Sequence, residues 1–192
     1  MNFITKTVGA LILTAGFASA SSYTVDSAHS TVGFSVKHLM ITNVKGEFKK
    51  YDANIDFDAS TKTFKVFKAE IQTASIDTGI EDRDKHLKSA DFFLSEEFPK
   101  MTFEMKSYKA NGDEGKMSGD LTIRGITKPV VLEIEDIATI VDFEGNNRVG
   151  FTLEGKINRM DYDLKWNKVL ELGGVAVANE VKIIVEVQAM EK

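Results

Sequence analysis

Apolar and polar residues alternate along most of the chain, which is the pattern of β-strands that bury one face. In residues 31–37, for example, Val32, Phe34 and Val36 share one face of the predicted strand. The same alternation recurs in residues 44–57, 64–76, 101–106, 117–124, 130–143, 149–155 and 177–188. Turn signals separate several of these segments and favour antiparallel neighbours, notably at residues 111–113 and 145–147. The pattern predicts one all-β domain of about eight strands.

The phase of the alternation slips by one residue between Phe48 and Tyr51. A β-bulge at Lys49 and Lys50 would restore the phase and bend the strand, as a closed barrel requires. About eight antiparallel strands form either a sandwich or a barrel, and such a barrel encloses its own side chains or one small ligand. Glycines interrupt the apolar faces, and they either leave space inside or allow the sheet to coil. The pattern alone leaves both architectures open.

A short helix is predicted where the alternation stops. Thr78 and Glu81 have the spacing of a capping box, in which the helix starts at Thr78 and Glu81 reaches back. Glu81 and Lys85 are four residues apart, as are Asp84 and Lys88, so we expect two ion pairs on the exposed side. The apolar side of this helix is a narrow stripe made of Ile80, Leu87 and Ala90.

Two adjacent phenylalanines, Phe92 and Phe93, follow the predicted helix. Neighbouring side chains of an extended segment point to opposite sides, so we expect one of the two to face a second apolar surface, such as a pocket lining. The charges of the helix are most simply a solvent-exposed face. The alternative is that Arg83 or His86 meets a polar ligand group at the mouth of a cavity.

The N-terminal residues have the features of a secretory signal peptide. Lys6 precedes an apolar run, and Ala18-Ser19-Ala20 forms a cleavage site, so we expect a leader over residues 1–20, a mature domain over residues 21–192, and a periplasmic or secreted product. The run is too short for a membrane span, which needs about 20 apolar residues, so no stable membrane insertion is expected. Removing Lys6 makes the formal charge of −5 more negative by one. This acidic balance argues against binding nucleic acid or an anionic membrane through bulk charge.

The sequence offers little catalytic chemistry. Asp26, His29 and Ser30 have the residue types of a hydrolytic triad, but they crowd into one predicted turn, whereas a triad is assembled from separate elements. The three histidines, His29, His38 and His86, lack the spacing of a metal motif, although a zinc site formed by all three in the folded chain stays open. The chain has no cysteine, which excludes disulfides and cysteine metal sites. We predict no catalytic residue and no bound metal.

Four segments together resemble the YceI-like family of exported bacterial proteins. They are YTVDSAHSTVGFSVKH (23–38), VKGEFKKYDANIDFD (44–58), DKHLKSADFFLSEEFPKMTFEM (84–105) and GDLTIRGITKPVVLE (119–133). The resemblance implies an eight-stranded antiparallel lipocalin-like β-barrel with a short helix near one end. It also implies a homodimer that holds a long-chain amphiphile inside the barrel: a polyisoprenoid, an isoprenoid quinone, or a fatty amide or acid. No cofactor beyond that ligand is implied.

The resemblance also implies which positions bind the ligand. Side chains of the inward faces would line a tunnel, with the aromatic residues after the helix at its end. The expected ligand-binding residues are Phe34, Val36, Phe48, Arg83, His86, Phe92, Phe93, Phe103, Leu121, Ile123, Phe151 and Trp166.

Three functions follow from these observations. The leading hypothesis is a binding or carrier protein for a long-chain amphiphile. The first alternative is an exported enzyme that acts on such a lipid, with His29 or His86 as general acid and base. The second alternative is a stress-response module whose lipid is incidental.

Overall fold

The computed structural model describes residues 20–169 and 173–192, so residues 1–19 of the predicted leader lie outside the described residues. One α-helix and eleven strand segments make up the fold in this part of the chain. They are β1 (Ser21–Val25), β2 (Thr31–His38), β3 (Thr42–Phe48), β4 (Tyr51–Asp58), β5 (Thr63–Gln72), β6 (Ile76–Asp77), α1 (Glu81–Lys88), β7 (Lys100–Asn111), β8 (Glu114–Ile123), β9 (Ile126–Val141), β10 (Asn147–Asn158) and β11 (Val177–Glu191). No helix in the described residues has both the length and the apolar character needed to cross a bilayer.

The strands close into an antiparallel barrel. Eight of them form the ring β1-β4-β5-β7-β8-β9-β10-β11, which the pairing of β1 with β11 closes. The remaining segments continue the sheet, because β11 pairs with β2, β2 with β3, and β3 with β6. Residues 189–191 of β11 pair with β1 and residues 177–186 pair with β2, so these two segments follow one another along a single edge. The predicted eight-stranded barrel with a short helix is confirmed.

Two neighbouring stretches of the sheet, β3–β4 and β5–β6, are interrupted at the same level. The break at Lys49 and Lys50 separates β3 from β4, at the position where the sequence predicts a bulge. This break is more than a single bulge. A turn of 3-10 helix at Thr73–Ser75 also interrupts the neighbouring strand at the same level. The backbone N–H of Lys49 donates to the carbonyl of Ser75 at 3.1 Å, so hydrogen bonding continues across the bend. A bend in the same place on adjacent strands lets one half of the barrel turn away from the other.

The predicted helix is confirmed at Glu81–Lys88, but the predicted capping box is wrong. The N-cap residue is Ile80, and Thr78 lies two residues further upstream. Consequently Asp84, not Glu81, reaches back, and its Oδ1 accepts hydrogen bonds from the N–H of Thr78 at 3.0 Å and from its hydroxyl at 2.5 Å. The ion pair of Glu81 with Lys85 forms at 2.9 Å.

Two further details of the helix differ from the prediction. The expected pair of Asp84 with Lys88 is replaced by the contact of Asp84 with Thr78. The apolar stripe is reduced to Leu87, which packs against the core, because Ile80 and Ala90 are exposed. The helix therefore rests on the barrel through one apolar side chain and the polar contacts at its start.

Aromatic rings fill one half of the barrel interior. The ring of Phe64 lies 4.8 Å from that of Phe57, 4.9 Å from that of Phe151 and 5.2 Å from that of Tyr108. Phe103 joins this cluster through Phe67, with ring centroids 6.1 Å apart. Aromatic pairs at these distances stabilise a core beyond their buried area by about 0.5–1.5 kcal/mol each. This half is a packed core, whereas the half beside the helix contains an apolar cavity.

Candidate functional site

A cavity of about 300 Å³ occupies the half of the barrel beside α1. Its walls come from β2, β3, β7, β8, β10 and β11, from the helix, and from the segments that follow the helix and β10. The volume is at the lower end of the range of about 300–1,000 Å³ that small-molecule sites occupy. Apolar side chains make up most of the lining, so the cavity favours hydrocarbon over water.

The exposure of the lining residues shows which end of the cavity is open. Phe48 and Ile123 are shielded from solvent, with 5% and 4% of their surface exposed. By contrast, the His86 side chain is 39% exposed, and His38 and Trp166 are half-buried. The cavity therefore opens beside the β2–β3 turn, the end of α1 and the segment after β10. We call this opening the mouth.

The structure brings ten of the twelve sequence-predicted site residues into the wall of this cavity. They are Phe34, Val36, Phe48, Arg83, His86, Phe92, Phe93, Leu121, Ile123 and Trp166. Phe103 and Phe151 lie elsewhere, in the packed half, where both contact Phe67 at 6.1 Å between ring centroids. Both point inward as their alternation predicts, but they lie further along their strands than the cavity extends.

Both phenylalanines after the helix face the cavity, as the resemblance implies, although the alternation of an extended segment would send them to opposite sides. That expectation assumed an extended segment, whereas residues 89–97 form turns. The N–H of Phe92 donates to the carbonyl of Ser89 at 3.1 Å, and the N–H of Phe93 donates to that of Leu87 at 2.9 Å. Because the backbone curls, neighbouring side chains need not point in opposite directions. We call residues 89–98 the elbow.

Arg124 holds the elbow against the barrel. This residue lies in the tight β8–β9 turn, and its Nη1 donates to the carbonyls of Phe92 at 2.9 Å, Asp163 at 3.1 Å and Ala90 at 3.3 Å. Its side chain is only 14% exposed, so these hydrogen bonds form largely out of water and are correspondingly strong. One side chain thus ties together three segments around the cavity.

Three side chains form an aromatic and polar group at the mouth. The His86 ring stands edge-on to Trp166 at 4.8 Å and to Phe92 at 5.1 Å between centroids. Its Nε2 shares a hydrogen bond of 2.8 Å with Asp91. Nearby, Arg83 donates from Nε to the hydroxyl of Thr78 at 2.7 Å and from Nη2 to its carbonyl at 2.8 Å. These contacts leave the Nη1 group of Arg83 available to a ligand.

Arg159 is a cavity residue that the sequence reasoning missed. It is 3% exposed, and its guanidinium donates to the carbonyls of Ala178 at 2.9 Å, Val177 at 3.3 Å and Leu164. No carboxylate of the described residues pairs with it, and burial lowers its pKa from the ordinary value. It lies between Asn158 and Met160 in a segment with several other charged residues, so no local signal in the sequence marks it as a cavity residue.

The ionisable groups of the described lining are all basic: His38, Arg83, His86 and Arg159. An apolar cavity with only basic groups around it is suited to a molecule with a long hydrocarbon part and a head group that accepts hydrogen bonds or carries negative charge.

Asp26, His29 and Ser30 do not form a triad. His29 bonds to Asp26 at 2.9 Å, but the Ser30 hydroxyl donates to the carbonyl of Gln188 and accepts from its N–H at 3.0 Å. Arg148 also pairs with Asp26 at 2.8 Å, so this group closes the end of the barrel opposite to the mouth. Within the described part of the chain, no cluster of three or more histidine, aspartate or glutamate side chains is arranged to hold a metal ion.

Comparison with known proteins identifies relatives of the whole fold. The sequence profile of the YceI-like domain matches residues 23–189. Protein YceI of Escherichia coli O157:H7 is 37% identical over 188 residues, which is 97% of this chain and 95% of that protein. The crystal structure of the Campylobacter jejuni YCEI protein is 41% identical, covers 87% of this chain and 96% of that one, and gives a TM-score of 0.73.

A more distant neighbour shares the fold alone. A polyisoprenoid binding domain from Saccharophagus degradans is 13% identical, covers 90% of this chain and 99% of that one, and gives a TM-score of 0.62. The profile match and the identity to protein YceI, each over most of the chain, decide the assignment. This chain belongs to the YceI-like family.

Proposed function

We propose that this protein is a periplasmic carrier that binds a long-chain amphiphile in the barrel cavity. The observation that carries the proposal is the cavity itself, which is apolar inside and has only basic ionisable groups in its described lining. Burying a hydrocarbon chain there contributes about 0.8 kcal/mol of favourable free energy for each CH₂ group, before the entropic cost of ordering the chain is subtracted.

The inner wall supports a hydrocarbon tail at that end of the cavity. Phe48, Leu121 and Ile123 are buried there and present no polar group to a ligand. A ligand that reached them with a charged end would leave that charge unpaired in an apolar site, which is strongly unfavourable. The amphiphile therefore enters tail first.

The basic groups nearer the mouth support a polar head at that end. Arg159 is held by backbone carbonyls without a carboxylate, and Arg83 has donors left over. A carboxylate, phosphate, quinone or amide oxygen accepts hydrogen bonds from such groups. The fold is shared with a polyisoprenoid binding domain, which makes a polyisoprenoid one candidate tail.

Purification from the native host tests the carrier function. Native mass spectrometry of the protein, followed by organic extraction, is expected to release one long-chain lipid in near-stoichiometric amount. Protein that is consistently empty, and that takes up no added fatty acid or polyprenol, would contradict the carrier function. Osmotic-shock fractionation tests the periplasmic location, and sedimentation velocity tests the homodimer expected from the resemblance.

One observation favours the enzymatic alternative, and only for His86. Its hydrogen bond to Asp91 at the cavity mouth has the geometry of a base with an orienting carboxylate. His29 bonds to Asp26 in the group at the opposite end, away from the cavity. Incubation with the extracted lipid decides between the two functions, because an enzyme would change the mass of the lipid in wild type but not in His86→Gln.

A further inference from the structure

Large apolar side chains are exposed around the mouth. Leu39, Met40 and Ile41 form the β2–β3 turn, with 39%, 52% and 79% of their surface exposed. Val169 is 84% exposed and forms an isolated β-bridge with Val175. We call these four exposed residues, Leu39, Met40, Ile41 and Val169, the mouth patch.

Hydrogen bonds join the two parts of the mouth patch into one surface. The N–H of Leu39 donates to the carbonyl of Ala176 at 2.8 Å, and the N–H of Ala176 donates to that of Lys168 at 2.9 Å. His38, which lines the cavity, pairs in register with Val177 beside them. The patch therefore lies directly at the opening of the cavity.

The backbone of the β2–β3 turn makes its apolar residues unexpected. Leu39 and Met40 have φ angles of 48° and 62°, and the N–H of Ile41 donates to the carbonyl of His38 at 3.1 Å. A β-turn in which both central residues have positive φ strongly prefers Asn-Gly at those positions, and bulky side chains are strained there. Folding alone would therefore favour Asn-Gly over Leu39 and Met40. Strain of this kind points to a function of the two side chains.

Unpaired lysines surround the mouth patch. Lys37 and Lys45 lie on the outer faces of the two strands that the turn connects, and Lys168 precedes Val169. All three are exposed, and none pairs with a carboxylate of the described residues. Some carboxylates at this end are paired, with Glu81 bound to Lys85 at 2.9 Å and Asp163 bound to Lys165 at 2.6 Å, whereas Asp161, Glu96 and Glu97 have no ion-pair partner among the described residues. Between residues 37 and 45, however, the β2–β3 hairpin carries no acidic side chain, although the chain as a whole is acidic.

The opposite end of the barrel provides an internal comparison. Phe143 in the β9–β10 turn is also fully exposed, but acidic residues flank it on both sides, Asp142 and Glu144. Ile140 and Val141 are exposed at this end as well. Apolar exposure alone thus does not distinguish the ends. At the mouth the nearest charged residues in the sequence are basic, with Lys37 before the turn and Lys168 before Val169.

We propose that the mouth patch docks on the surface of an anionic lipid bilayer. Its apolar tips would enter the boundary between head groups and acyl chains, and the three lysines would face the anionic head groups. With the mouth against the bilayer, an amphiphile passes between membrane and cavity without exposing its tail to water. Docking is peripheral and reversible. The inference goes beyond the proposed function and rests on it only for the cargo that is exchanged.

Vesicle co-sedimentation of the purified protein tests the docking surface. We expect binding to vesicles of phosphatidylethanolamine and phosphatidylglycerol, weaker binding to vesicles of phosphatidylcholine alone, and a loss of binding at high salt. The double substitution Leu39→Asn and Met40→Gly installs the residues that the turn prefers, so folding is retained while binding falls at least about tenfold. Lys168→Gln is expected to weaken binding about fivefold.

Phe143→Asn is the matched control, because it removes an exposed apolar side chain from a turn at the other end. It is expected to leave vesicle binding unchanged. The proposal is overturned if wild type binds neither kind of vesicle, which would indicate a protein partner, or if the turn variant binds like wild type. Native mass spectrometry separates this result from the carrier function: a turn variant that keeps its lipid but loses vesicle binding has lost docking alone.

Discussion

Phe93 of the elbow stands edge-on to Phe48 of β3, with ring centroids 5.7 Å apart and ring planes at 84°. Phe48 in turn contacts Phe34 at 5.9 Å. All three rings line the cavity, so a segment that follows the helix completes an aromatic wall begun by two strands. The elbow is therefore part of the binding site, and its effect on ligand and on fold can be separated by mutation.

Phe93→Asp is expected to reduce retained lipid about tenfold or more, because a carboxylate in an apolar wall is unfavourable beside a hydrocarbon tail. Phe93 is only half-buried, so the free energy of unfolding should fall by about 1–2 kcal/mol. Lipid-to-protein ratio by mass spectrometry and urea unfolding measure the two effects.

Phe98→Asp is the control for this prediction. Phe98 is half-buried in the same elbow, but it packs towards Gly125 and does not line the cavity. The control variant should lose stability without a comparable loss of lipid. If both variants lost lipid and stability to the same extent, the elbow would have only a packing role in the core.

Arg159→Met should destabilise the protein and change its ligand preference. The substitution keeps an apolar stem but leaves three backbone carbonyls without their donor, so we expect a loss of about 2–4 kcal/mol in the free energy of unfolding. Removing the cation should also weaken binding of a fatty acid more than binding of the corresponding fatty amide.

Titration of both ligands by fluorescence of Trp166, at a temperature where the variant is folded, measures this preference. Trp166 lines the cavity and reports on its occupancy. If the acid and the amide lose affinity equally, Arg159 only fixes the loop to β11 and does not contact the head group.

The alternation of residues predicted the strands and their inward faces because both depend on a period of two along the chain, whereas the closed barrel was predicted from the resemblance to the YceI-like family. The alternation could not tell how far along the barrel axis a side chain lies. Phe103 and Phe34 have the same pattern, yet only Phe34 reaches the cavity. The axial position depends on the register between strands, which is fixed by bends such as that at Lys49 and Lys50.

The remaining differences come from contacts between distant parts of the chain. The elbow is held against the barrel because Arg124 of another turn binds two of its carbonyls, and no local signal encodes that contact. In the sequence, Arg159 has the appearance of an ordinary cation in a turn. Two of its carbonyl partners are residues 177 and 178, which are distant in the sequence. The error in the capping box has a local cause. Two carboxylates follow Thr78 closely in the sequence, and Thr78 bonds to the more distant one, Asp84.

Gly46→Ala should reduce both stability and lipid content. A Cβ atom on Gly46 would lie 2.6 Å from Cζ of Phe34 and 2.7 Å from Cγ2 of Thr78, so the Phe34 ring would have to move into the cavity. We expect a loss of about 1–3 kcal/mol in the free energy of unfolding. Gly150→Ala is the control, because its nearest neighbour is the Val187 carbonyl at 3.8 Å, an ordinary contact. Equal melting temperatures for the two variants would contradict the prediction.

The substitutions Leu39→Asn and Met40→Gly should together raise the free energy of unfolding by about 1 kcal/mol or more. Both native residues have positive φ angles that Asn and Gly adopt with less strain. Urea unfolding measures the change. A less stable double variant would mean that the two side chains pack in the folded protein, against their observed exposure.

Tyr162 should make the protein less stable at high pH. Its side chain is 1% exposed, and burial, helped by Asp161, raises its pKa to about 12 from 10.0. Between these values the unfolded chain releases the phenolic proton and the folded chain keeps it, so the unfolded state binds fewer protons and stability falls as pH rises. Burial also raises the pKa of Tyr23, Tyr51 and Tyr108, which add to the same trend.

Tyr162→Phe isolates the contribution of this one group. The Tyr162 hydroxyl is buried without a hydrogen-bond partner, so removing it should leave stability at pH 8 unchanged or raise it by about 1 kcal/mol. Between pH 8 and 11 the variant should lose about 1–1.5 kcal/mol less than wild type. Urea unfolding at pH 8, 10 and 11 measures both effects. A variant that is less stable at pH 8, with the same decline at high pH, would show that the hydroxyl is bonded in solution and that its proton is not withheld by burial.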